Sequence, residues 1–253
     1  MFPYHDENHT QRTPYITLAI IAACALMWLL VQGAGATGPL VTSVCNLGLI
    51  PGELTLSLPP GTGFRMTERL VCVIDPGRQL GNVVTSMFLH GSWMHLLGNR
   101  WFLWLFGNNI EDSMTRPRFV AFYLLCGLGA ALAQVVADPN SEVPMVGASG
   151  AISGVMGAYL VLFPRVRVFT MVPLGFFLTS MALPAWVMLI YWMVLQLIGG
   201  FSSALKPESG GVAFWAHVGG FVVGVVLVKV FERTDRVVAH TSDHWRPERV
   251  SRW

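Results

Sequence analysis

Charge is what this sequence has least of. Asp, Glu, Lys and Arg together make up 12% of its 253 residues, against ~25% in ordinary soluble domains. The shortfall is also localised: no charged residue occurs in 13–52, 119–137, 143–164, 168–205 or 209–228. Roughly 20 apolar residues suffice for a helix to cross a ~30 Å hydrocarbon layer. An ordinary soluble enzyme and a disordered tail are thereby excluded. A basic block is lacking as well. The 16 Lys and Arg stand against 14 Asp and Glu for a net charge of +2, and they form no block of the kind that grips phosphates, which excludes a nucleic-acid partner. Cysteine is sparse, with 4 in the chain. Cys24 and Cys126 fall in apolar runs and read as packing residues, whereas Cys45 and Cys72 lie outside the spans. Whether those two are bonded depends on how oxidising their side of the membrane is, and the sequence leaves both alternatives open. No small-residue cleavage motif stands clear of the apolar run 16–31, which is span-length and reads as a first membrane helix rather than a leader.

What is present resolves into 6 spans at about 15–32, 93–110, 119–137, 149–163, 184–201 and 212–230. Basic residues set their direction. Arg116 and Arg118 follow the second span, Arg165 and Arg167 the fourth, and Lys229, Arg233, Arg236, Arg246, Arg249 and Arg252 the sixth. Cytoplasmic loops carry such an excess, so both termini are expected inside. The expected class is an all-α membrane protein, a six-helix transmembrane bundle. It divides into a cytoplasmic N-terminal segment 1–14, a transmembrane domain 15–231 with a long first outer loop 33–88, and a cytoplasmic tail 232–253. That outer loop is rich in Gly and Pro and is expected to pack on the membrane face. The uncharged run 168–183, interrupted by Pro173 and Gly175, stays unassigned among interfacial, re-entrant and spanning alternatives.

Depth places the polar residues. Ser149 precedes Arg165 by 16 residues and His95 precedes Glu111 by 16, ~24 Å above the inner boundary at ~1.5 Å per helical residue. Asn99 precedes Glu111 by 12 and His217 precedes Lys229 by 12, ~18 Å above it. Four polar groups on three helices therefore share one slab in the outer half of the membrane. The fourth span, 149–163, has 15 residues, or ~22 Å of helix, too short for a ~30 Å core. Its outer end is expected below the surface, with the Gly147-Ala148 backbone facing a wet cavity that satisfies its polar groups.

Those residue types suit acyl transfer. A serine hydroxyl becomes a nucleophile when a base takes its proton, and His217 is the histidine available to Ser149. An oxyanion needs donors, which the Asn99 amide, the His95 ring and the free N–H groups where Ser149 opens its helix supply, the last through Ala148. No carboxylate shares the slab, so a dyad is expected, with a water or a neighbouring hydroxyl in the third role. Gly150 and Gly154 on the fourth span, and Gly220 and Gly224 on the sixth, form small-xxx-small pairs that permit close helix approach. His217, Gly220 and Gly224 share one helix face. His90 reads as a residue that orients the outer loop, and Arg100 receives no role. A metal is not expected, because no HExxH motif or acidic ligand accompanies the histidines. No cofactor is expected either.

The motifs Gly147-Ala148-Ser149-Gly150 with Gly154, Ala216-His217-Val218-Gly219-Gly220 with Gly224, and His90-Gly-Ser-Trp-Met-His95-Leu-Leu-Gly-Asn99 ending in Glu111-Asp112 resemble the rhomboid intramembrane serine proteases over 83–228. The family's Trp-Arg pair is absent just before the second span, where Gly81-Asn82 stands. The resemblance implies a six-helix bundle that cleaves transmembrane protein substrates within the lipid bilayer. It also implies Ser149 as nucleophile, His217 as base, and His95 and Asn99 at the oxyanion. A catalytically inactive relative that binds transmembrane clients is the alternative, and a transporter would need charged groups along a midplane path. The expected setting is a bacterial cell (inner) membrane. Substrate identity and oligomeric state are not readable.

Overall fold

In lipid the backbone must satisfy its polar groups internally, so long charge-free runs become helices. The computed structural model describes residues 2–68, 70–174, 177–205 and 212–243. Its helices are α1 (Tyr15–Leu26), α2 (Thr37–Leu47), α3 (Pro51–Leu54), α4 (Asn82–Thr85), α5 (Trp93–Phe102), α6 (Asn108–Asp112), α7 (Arg116–Ala137), α8 (Ser149–Leu162), α9 (Ala185–Leu205), α10 (Phe214–Phe231) and α11 (Thr234–Asp243). A π-helical turn, Met27–Val31, prolongs α1, and another, Leu103–Gly107, joins α5 to α6. Among the described residues α7, Ala185–Ser203 of α9, and α10 are long and apolar enough to cross a membrane, while Tyr15–Val31 and α8 are shorter apolar helices. The chain is an integral membrane protein.

Local chemistry sets the helix starts. Pro117 stands in the first turn of α7, where its missing N–H costs nothing and its fixed φ favours helix. Ser92 caps α5 by accepting the His95 N–H at 3.1 Å. The cap of α1 comes from another helix: Glu111 of α6 accepts the N–H groups of Ile16 at 2.9 Å and Thr17 at 2.7 Å. A carboxylate at that point also meets the positive end of the α1 dipole.

The 14-residue α8 spans only ~21 Å. Its neighbours α7 and α10 enclose it, and Gly150 through Tyr159 are all buried. Close approach to α10 runs through backbone. A Cβ built at Gly220 would strike the Gly150 carbonyl oxygen, and one at Gly224 would lie 2.6 Å from Gly154 Cα.

The fold is mostly helical, as expected of an all-α class, but among the described residues it also contains five short strands: β1 (Phe2–Asp6), β2 (Gly63–Arg65), β3 (Val71–Val73), β4 (Arg167–Leu174) and β5 (Phe177–Pro184). The unassigned run 168–183 is largely the β4–β5 hairpin, in register Arg167 to Pro184 and Leu174 to Phe177. Two successive prolines of the sequence, Pro164 and Pro173, bracket a segment rich in Val, Phe and Thr, whose branched and aromatic side chains favour extended backbone. The N-terminal β1 pairs antiparallel with β4 and makes a three-stranded sheet. Gly175 and the tail residues Arg246, Arg249 and Arg252 lie outside the described residues.

The outer loop is a folded cap. Cys45 and Cys72 form a disulfide that ties α2 to β3, and β2 pairs antiparallel with β3. Asn82 donates its amide to the Asn46 carbonyl at 3.2 Å, and the nearby Thr85 hydroxyl donates to the Leu47 carbonyl at 2.7 Å. The Trp93 indole, donating to the Ala34 carbonyl at 3.1 Å, holds the loop against the start of α5, and the Leu49–Met145 backbone pair holds it against the segment leading to α8.

At the opposite end of α8 the N-terminal segment is locked down by buried carboxylates. Asp112 accepts the Gln11 N–H at 2.5 Å and pairs with the Arg12 guanidinium at 2.9 Å, and His240 Nε2 of α11 stands 3.1 Å away. Burial alone would raise the Asp112 pKa, but the hydrogen bonds from His240, Gln11 and Arg12 outweigh it and hold the carboxyl below its ordinary value. Asp6 shows the reverse. It accepts from the Tyr159 hydroxyl at 2.5 Å and the Asn109 amide at 3.0 Å, yet burial dominates and pushes its pKa from 3.8 up to about 7.

Linkage gives the sign for Asp6: a raised folded pKa means that docking is favoured by the protonated form. The stabilisation is fully present below about pH 4 and is lost as pH rises through about 7. Hydrogen-exchange protection of β1, corrected for intrinsic exchange, should therefore be greater at about pH 5 than at about pH 8. Asp6→Asn should flatten that dependence. Equal protection of the wild type at both pH values contradicts the assignment.

Candidate active site

Ser149 opens α8 and His217 lies in the first turns of α10, and the two helices meet so closely that the side chains touch. Ser149 Oγ stands 2.8 Å from His217 Nε2 across 68 residues of sequence. Both sit on the wall of a cavity of about 1050 Å³ whose lining includes His95, Asn99, Gly147 and Trp192. The site lies at the end of α8 that carries the outer-loop cap.

Gly147 shapes this wall. Its φ of +124° is a conformation L side chains rarely adopt, and a Cβ there would lie 2.7 Å from the His95 ring and 3.5 Å from Asn99 Nδ2. Its N–H donates to the Ser86 carbonyl at 2.9 Å. Just upstream, Leu49 and Met145 exchange backbone hydrogen bonds at 3.0 and 2.7 Å. The chain therefore enters α8 pinned to the outer loop, with the His95 imidazole against its bare α-carbon. Asn99 is buried, and among the described residues its amide nitrogen has no hydrogen-bond partner. Ala148 is also buried and immediately precedes the helix.

His90 sits beneath His95, the two rings edge to face at 5.2 Å. Gln32, at the end of the first span, exchanges two 2.8 Å hydrogen bonds with the His90 backbone. That clamp fixes the loop that aims His95. Arg100 is half-buried on α5, and nothing in the structure assigns it a role.

Beside the other imidazole nitrogen, where a water or a neighbouring hydroxyl was expected, the structure places a side-chain amide. His217 Nδ1 lies 2.7 Å from Oε1 of Gln196 on α9, and the Trp192 ring, one turn earlier on α9, packs on the imidazole with centroids 5.8 Å apart. A signal for Gln196 existed. It is the only amide side chain in the run 168–205, and it stands 11 residues into α9, ~16 Å along the helix, close to the depth derived for His217.

Comparison with known proteins now bears on this arrangement. The family model for the Rhomboid domain matches residues 77–233, more than half of the chain. The chain belongs to the rhomboid family. Among relatives, it is 30% identical over 145 residues to RHOMBOID-like protein 5 of Arabidopsis thaliana, covering 57% of this chain and 42% of that protein. It is 30% identical over 154 residues to Rhomboid-like protease 5 of Toxoplasma gondii, covering 59% of this chain and 16% of the other. With Rhomboid protease GluP of Bacillus subtilis it shares 30% over 142 residues, 56% of this chain and 24% of the other. The match to this rhomboid chain thus spans less than half the length of each of these relatives.

Proposed function

We propose that this rhomboid protein is an intramembrane serine endopeptidase that cleaves transmembrane helices of membrane-protein substrates through a Ser149–His217 dyad. The observation that carries the reading is the 2.8 Å hydrogen bond between Ser149 Oγ and His217 Nε2 inside a cavity. Relatives named as proteases support it. In this reading α1, the α5–α6 unit, α7, α8, α9 and α10 are the six crossings, both termini are cytoplasmic, and the setting is a bacterial inner membrane. The segments 1–14 and 232–253 flank a transmembrane domain of 15–231.

The chemistry follows from the placement of the groups. A substrate helix shields its peptide bonds, so the scissile carbonyl reaches Ser149 after local unwinding into the cavity. Ser149 Oγ attacks the carbonyl carbon while its proton passes to His217 Nε2. Negative charge on the carbonyl oxygen is met by the unpaired Asn99 amide, the His95 ring and the backbone beside Ala148, aided by the positive end of α8. His217 then gives its proton to the leaving amine, and cavity water hydrolyses the acyl-enzyme by the same route. Gly150, Gly154, Gly220 and Gly224 serve as the packing contacts that bring the two helices together. The presence of both side chains and the hydrogen bond between them support the peptidase over the alternative, an inactive relative that binds transmembrane clients.

Treatment of the detergent-solubilised full chain with a fluorophosphonate, followed by peptide mapping, tests the reading. The expected result is a phosphonyl adduct on Ser149. An adduct on a different serine, or none, overturns it.

A further inference from the structure

His217 receives two contacts from α9, and both come from one face. Trp192 and Gln196 are four residues apart and therefore point the same way from the helix. The Gln196 Nε2 donates to the carbonyl of Trp192 at 3.5 Å, which leaves Oε1 as the atom 2.7 Å from His217 Nδ1. An amide oxygen carries no proton, so the hydrogen of that bond belongs to Nδ1. Nε2 then holds the lone pair and accepts the Ser149 hydroxyl at 2.8 Å. One tautomer of a neutral imidazole satisfies both bonds, and it is the one a general base requires.

We infer that Gln196 is the positioning residue of this site, holding His217 in the tautomer and orientation from which it takes the Ser149 proton, with Trp192 fixing the ring's face. The inference rests on the peptidase reading. Its physical logic concerns charge in a membrane. A carboxylate in this position would need burial as an anion beside lipid, which is costly, whereas an amide accepts the same Nδ1–H while neutral. When His217 becomes imidazolium the bond to Oε1 becomes charge-assisted and shortens, so the amide contributes most as charge develops. No proton moves to Gln196. The single transfer is from Ser149 Oγ to His217 Nε2.

The test uses the full chain in detergent and the rate of Ser149 phosphonylation by a fluorophosphonate as a function of probe concentration and pH. Gln196→Leu keeps the bulk and removes the acceptor. It should lower the maximal rate by roughly 10- to 100-fold while the half-saturating probe concentration stays unchanged. Gln196→Glu restores an acceptor. It should recover most of the rate at alkaline pH and move the acid limb of the profile upward by about one pH unit or more, because an adjacent carboxylate favours imidazolium and the base becomes neutral only at higher pH. A Leu variant with the wild-type rate and profile overturns the inference. So does a loss shared by both variants with no movement of the acid limb, which is what a packing defect produces. Absence of a Ser149 adduct in the wild type is a separate result: it removes the peptidase reading, and this inference with it.

Discussion

Ser149→Ala should lower the rate of cleavage of a synthetic transmembrane helix by roughly 10⁴- to 10⁶-fold, as removing the nucleophile does in serine hydrolases generally. His217→Ala should reach a similar floor, and the double variant should fall no further. The three rates converge because nucleophile and base act as one unit: without either, no alkoxide-like oxygen forms, and the losses are not additive. The effect is chemical rather than structural. Alanine favours helix, and the backbone bond in which Ser149 takes part, its carbonyl accepting the Ser153 hydroxyl at 2.7 Å, survives the change. Rates measured by gel for the wild type and the three variants check this. Ser149→Ala within about tenfold of wild type, or a double variant much slower than either single, contradicts a dyad.

The closeness of Ser149 and His217 is legible in the sequence. Charge-free runs marked the apolar helices, and counting residues inward from the nearest charge set Ser149, His95, Asn99 and His217 near one level. The shortness of the segment after Ser149 anticipated α8, whose 14 residues begin at the cavity. Rise per residue is a local property, so depth survives without knowledge of the neighbours. Rotation about the helix axis does not. A one-residue change of phase turns a side chain through ~100°, so the depth of Gln196 was legible but its meeting with His217 was not, because that depends on how α9 is turned toward α10. The β4–β5 hairpin was hidden for a related reason. Its apolar run lacks a clean alternation, and its pairing with β1, at the other end of the chain, is non-local. The same holds for Asp6, one of two adjacent carboxylates in a polar N-terminal segment, which is buried only when β1 docks and Tyr159 and Asn109 close over it.

Backbone contact between α8 and α10 leads to the second large effect. Gly224→Ala places a methyl group against the Gly154 carbonyl, 2.6 Å from both its carbon and its Cα. Real Cβ contacts are not that short, and the obstacle is main chain, which cannot rotate away as a side-chain tip could. The helices must separate. Overpacking of this kind costs typically 1–3 kcal/mol, and more where backbone is struck, so the thermal midpoint in detergent should fall by several degrees. The consequence extends to chemistry because His217 lies seven residues earlier on the same helix face, only ~10.5 Å away. Splaying α10 at Gly224 tilts the imbedded imidazole away from Ser149, and turnover should drop even in the fraction that stays folded. Gly98→Ala is the control for stability, since a Cβ there meets nothing within 4 Å and alanine is the better helix former by ~1 kcal/mol. A Gly224→Ala protein as stable as wild type would mean that the two helices can give way at this contact, and the tight approach would then not be what holds serine and histidine together.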